Sequence, residues 1–227
     1  MQPVLSQPHS WMLQVLLAST LLLWENVYSM PMCFDMEGYN EIPIEELLDS
    51  AIFMAQHISN LTTQMSEEFD ANFVHSLGYK ARNSSNCHTT SHATPESNEQ
   101  IQQTQSDVLL KMMISISRSW YHPLKQLVRV LATLEGACKT MLLKVIEVME
   151  TNQEILGELK AILVRVHPGA EESVYAAWMG LADVRSADDN THYIALSNIL
   201  HCLDSDTDKV ATYLEALKCR IIHNNSC

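Results

Sequence analysis

The stretch HCLDSDTDKVATYLEALKC, His201 to Cys219, sets Asp204, Asp206 and Asp208 at alternate positions and has Glu215 as the twelfth residue counted from Asp204. This is most of the acidic skeleton of an EF-hand loop, in which carboxylates converge on one calcium ion. Such a loop needs a sharp turn at its sixth position, and there this chain has Lys209 rather than glycine. Read as a helix at about 100° per residue, the same stretch puts Leu203, Val210, Leu214 and Leu217 on one continuous apolar stripe. Asp204, Asp208 and Glu215 then form an acidic ridge away from that stripe, and Asp206 falls on the opposite flank with Lys209 and Tyr213. We expect the helix, and with it neither a metal nor a cofactor.

No other stretch offers catalytic chemistry. There is no G-x-S-x-G, no H-E-x-x-H and no glycine-rich phosphate loop, with six glycines in the whole chain. There is no CxxC and no Cys/His cluster at zinc spacing, and His57 reads as an exposed polar residue rather than a ligand. An enzyme is not expected.

The elements that would carry these residues are helical. Apolar residues recur at three- and four-residue steps over 43–77, 106–134, 139–166 and 189–218, with Pro123 as an expected kink in the second helix and Asp188 and Asp189 as N-cap residues for the fourth. Strand-like alternation is absent. Helices two and three are joined by about four residues and must be antiparallel neighbours, whereas 78–105 and 167–188 are long enough to run the length of a helix. The expected fold is all-α, an up-up-down-down long-chain four-helix bundle with two long crossovers.

Residues 1–29 hold an uncharged apolar run, Trp11 to Trp24, too short to span a bilayer, and small residues near Ser29. We expect a signal peptide, a secreted chain and a single domain over 30–227 that is not inserted in a membrane. After residue 29 there remain 14 basic and 26 acidic residues, a balance that disfavours nucleic acid, heparin and anionic membranes. Asn60, Asn83 and Asn224 are acceptor sequons for N-glycosylation. All six cysteines (Cys33, Cys87, Cys138, Cys202, Cys219, Cys227) follow the signal segment, and spacing alone does not choose among their 15 pairings.

The segments CHTTSHATPESNEQ (87–100), RSWYHPL (118–124), VRVHPG (164–169), VYAAWMGL (174–181) and YLEALKCRIIHNNSC (213–227) resemble the prolactin and growth hormone family, its prolactin branch above all. The resemblance runs from Met30 to the C-terminus. It implies pairing of Cys87 with Cys202 and of Cys219 with Cys227. The N-terminal partner that prolactins often offer Cys33 is replaced by Asn40, so that small bridge cannot form; a Cys33–Cys138 bond is disfavoured because the two lie at opposite ends of a helix of roughly 50 Å, and a disulfide-linked dimer or capped thiols are the other options.

The same resemblance implies a ligand for a class I cytokine receptor or another cell-surface protein, without a catalytic site. Its principal face would combine helix one, the first crossover and helix four, and a weaker second face would lie across helices one and three. Where prolactins carry histidines and a basic pair on the first face, this chain has Gln56, Ser59 and Asp208, and Asp204 followed by Ser205, while Lys209 and Tyr213 are kept. Glu215 joins the acidic ridge. On the second face Glu158, with Gly157 one step earlier, stands where two-receptor members place glycine. A placental or decidual hormone fits this divergence. The competing expectation is a secreted protein that binds matrix or another soluble factor without prolactin-receptor signalling.

Overall fold

A computed structural model of the chain describes residues 42–75, 87–89, 94–134, 136, 139–170 and 181–224. The expected signal segment, Cys33, Asn83, Cys138 and Cys227 lie outside the described residues. All the described residues belong to one compact unit, Met36–Cys227, and none is in a strand.

Helix α1, Ile44–Phe69, starts after Pro43 with Glu45 and Glu46 in its first turn, where the helix dipole favours negative charge. Leu47, Leu48, Ala51, Ala55, Ile58, Met65 and Phe69 form its buried stripe. The α-helical part stops short of the expected residue 77. It passes into a π-helical turn, Asp70–Val74, whose wider winding lets Phe73 and Val74 both join Phe69 in the core. Phe73 stacks on Tyr193 of the last helix, with ring centroids 5.4 Å apart.

The second helix is two. Helix α3, Ser106–Ser119, and helix α4, Tyr121–Leu131, are divided at Trp120. Pro123 has no N–H for the Ser119 carbonyl and its ring would collide with it, so α3 ends at Ser119, four residues upstream of the proline, rather than at the proline itself. Helix α5, Lys139–Val166, has the expected limits. Helix α7, Asp189–Ile222, continues four residues past the expected end. The Asp188 side chain caps it by accepting from the Thr191 hydroxyl at 2.7 Å and from the Thr191 backbone N–H at 2.8 Å, which together hold the carboxyl below its usual range. Each crossover also holds a short helix that periodicity did not reveal: α2, Asn98–Gln103, and α6, Leu181–Val184.

Side-chain pairs fix the directions. Along α1, Ser50, His57 and Glu68 meet Glu158, Glu147 and Lys144, so α1 and α5 are antiparallel. Asp49, Gln56, Thr63 and Asp70 meet Lys218, Glu215, Asp204 and Ser197, so α1 and α7 are antiparallel too. Trp120 meets Asp206 and Arg220 meets Ser106, which opposes the second helix to α7. The result is the up-up-down-down bundle. Helix α1 packs on α5 and α7, and α3 packs on the same two, which puts the first and second helices at diagonal corners.

Candidate functional site

The seam between α1 and α7 carries most of the residues singled out by the sequence. The Thr62 and Thr207 hydroxyls share a buried 2.8 Å hydrogen bond at its base. Above it Thr63 donates to Asp204 at 2.6 Å, Gln56 donates to Glu215 at 2.6 Å, and Lys218 pairs with Asp49. At the far end Asp70 accepts from Ser197 and pairs with His201, both at 2.7 Å. Asp208, Glu215 and Gln56 are exposed, and Asp204, Ser59 and Lys209 are half-buried. Asp208 has no partner among the described residues, so its charge faces solvent.

The stretch that resembled a calcium loop is uninterrupted helix. Its four carboxylates do not converge, because Asp206 points inward while Asp208 and Glu215 point out. Among the described residues no group of three or more His, Cys, Asp or Glu side chains is arranged to hold a metal.

Two expectations are corrected on the other flank of α7. Asp206, expected on a surface flank, is 1 % exposed and accepts from the Trp120 indole N–H at 2.8 Å, with Lys209 at 3.3 Å on its other oxygen. Tyr213, expected on the receptor-facing surface, is also 1 % exposed, and its hydroxyl donates to the Pro95 carbonyl of the first crossover at 2.6 Å. Burial raises the Tyr213 hydroxyl above its usual value; a hydrogen bond with Thr94 opposes the shift, and the charges of Asp206 and Glu96 add to it. On the helical wheel Asp206 lies only about 20° from Leu217 and Tyr213 about 40° from it, inside the width of a core face. That proximity was the available signal. Tyr213 therefore orders the crossover and presents no side-chain surface to a partner.

The second face is corrected in the same sense. Gly157 and Glu158 of α5 are both buried, Glu158 at 7 % exposure. Ser50 of α1 donates to one carboxylate oxygen of Glu158 at 2.8 Å, and the other oxygen is buried with no hydrogen-bond partner among the described residues. Burial pushes this carboxyl up to about 7, the Ser50 hydrogen bond opposing and Glu154 adding. A partner cannot reach Glu158 without opening the α1/α5 contact.

The first crossover is anchored at three points. Cys87 forms a disulfide with Cys202, as the resemblance implied, and Tyr213 holds Pro95. Arg220, which the sequence did not single out, donates to the carbonyls of Ile101, Gln102 and Thr104 and to the Ser106 hydroxyl, closing the C-terminus of α2. Cys219 is disulfide-bonded, while its expected partner Cys227 lies outside the described residues. Asn60 and Asn224 are exposed. His57 is exposed and hydrogen-bonded to Glu147. No helix among the described residues is long and apolar enough to cross a membrane. Compared with protein families, the chain matches the model of the somatotropin hormone family over residues 16–227.

Proposed function

The chain belongs to the somatotropin hormone family, and from that premise we propose that it is a prolactin-like hormone of the placental or decidual kind that binds one copy of a class I cytokine receptor through its α1/α7 face. Members of the family are signalling hormones that act on cytokine receptors, not enzymes. A protein ligand of this kind works by presenting a rigid face of about 800 Å² to each partner, with a few anchors carrying the affinity.

The exposed carboxylates of Asp208 and Glu215 on the α1/α7 seam carry the reading. Together with Asp204 and Asp49 they outnumber Lys218, the cation paired with Asp49 on this seam, so long-range attraction is toward a basic ectodomain surface. A receptor that suits a cationic hormone face would be repelled. This favours a class I receptor other than the prolactin receptor. The burial of Gly157 and Glu158 supports one receptor copy, because a second receptor would find no small, exposed residue on α5 there.

Purified glycoprotein is titrated against the prolactin-receptor ectodomain and a panel of other class I ectodomains. The expected partner binds 1:1, and Asp208→Lys slows its association by about tenfold at low salt without changing thermal stability. A tight 1:2 complex with the prolactin receptor, indifferent to Asp208→Lys, would refute the reading.

A further inference from the structure

The net charge, which taken over the whole chain disfavours heparin, hides where the charges sit. From residue 108 to 134 there is no Asp or Glu, while Lys111, Arg118, Lys125 and Arg129 fall in that stretch; the other residues hold 10 basic against 27 acidic side chains. By contrast α1 contains five acidic residues and no basic one. Because the first and second helices stand at diagonal corners, the bundle is electrically polarised, acidic along α1 and basic along α3 and α4.

The basic corner is a line. Arg118, His122, Lys125 and Arg129 recur at steps of four, three and four, the spacing of one helix face. That face is opposite the buried stripe of Leu124, Leu127 and Leu131. His122, Lys125 and Arg129 are exposed. Arg185, just past α6, joins them by donating to Gln126 at 2.6 Å. Lys125 rests over the Tyr121 ring at 4.1 Å, which orients its ammonium group without neutralising it. Among the described residues no carboxylate pairs with Lys125, Arg129 or Arg185, although Asp183 lies close by in α6. Elsewhere Lys111, Lys144, Lys209 and Lys218 are each paired with an acid.

We infer that the outward face of α4, with Arg185 beside it, is a docking strip for a sulfated polysaccharide of the cell surface or matrix. The strip is narrow and spans about 16 Å from Arg118 to Arg129, which suits a linear polyanion running along the helix. A membrane would need an apolar skirt around the cations, and Tyr121 at 36 % exposure is the only large apolar side chain of α4 that is exposed. Docking on this corner leaves the acidic α1/α7 seam turned away from the polyanion. The same polarity would orient the bound molecule, since a polyanion repels the α1 corner.

The test uses the full mature glycoprotein on immobilised heparin and needs no receptor, so it stands apart from the receptor reading. Wild type is expected to be retained at about 0.15 M NaCl and released by more salt. Arg129→Glu should weaken binding about tenfold and Lys125→Glu/Arg129→Glu should abolish retention, with helicity unchanged by circular dichroism. Lys218→Glu makes the same charge change on the α1/α7 seam and should leave retention intact. Unsulfated hyaluronan should not compete. Failure of wild type to bind, equal losses for Arg129→Glu and Lys218→Glu, competition by hyaluronan, or equally tight binding to phosphatidylserine vesicles would each overturn the inference.

Discussion

Replacing Glu158 by glutamine separates the charge of this side chain from its shape, and the consequence depends on pH. In the folded protein the carboxyl is pushed from 4.5 to about 7, chiefly by burial between α1 and α5. Between those values the folded state keeps a proton that the unfolded chain releases. The favourable contribution of the neutral carboxyl is therefore fully present below about 4.5 and is lost as pH rises through about 7. At full weight the shift corresponds to about 3 kcal/mol, and partial access of water to the α1/α5 rim reduces this to about 1.5 kcal/mol. Glutamine keeps an acceptor for the Ser50 hydroxyl and cannot ionise. Thermal or urea unfolding of both proteins from about pH 4 to about pH 8.5 should give equal stabilities at the acid end. At the alkaline end the variant should be ahead by about 1.5 kcal/mol, or about 3–6 °C in Tm. Taking the difference between the two proteins cancels the titration of every other carboxyl. A difference that stays constant across the range would show that Glu158 carries no buried charge at alkaline pH, and would sink the argument.

Two further perturbations test the supports of the crossover and the bundle centre. Trp120→Phe removes the one neutral donor to the buried Asp206 carboxylate among the described residues and should cost about 2–4 kcal/mol in urea unfolding; Asp206→Asn, which keeps an acceptor for the indole, should cost less, and the reverse order would refute the assignment. Arg220→Ala frees the carbonyls at the end of α2 and should cost about 2 kcal/mol, with faster amide exchange over 98–104 and little change in α1; unaltered exchange there would show that the disulfide alone orders this segment.

The limits of α5 and the Asp188 cap were legible because periodicity and capping are local: each is decided by side chains within a turn or two of the backbone they serve. The break at Trp120 was half legible, since Pro123 announces a disruption and the geometry of the preceding turn decides where it falls. Asp206, Tyr213 and Glu158 were misplaced for one shared reason. Each sits at the edge of an apolar stripe, where the wheel angle leaves both outcomes open until a neighbour arrives.

The amino-acid order by itself determined the class of fold, four amphipathic helices with a short middle turn and two long crossovers, and through its motifs the family. It also contained the 27-residue interval without an acid, although a net charge of −13 conceals it. Only the tertiary structure decided which flank of each helix is covered. It turned Asp206 and Tyr213 from surface candidates into supports, closed α5 over Glu158, and placed the acidic α1 diagonally across from the basic α4. The physical reason is that burial and electrostatic field are properties of neighbours in space, and those neighbours lie tens of residues away along the chain.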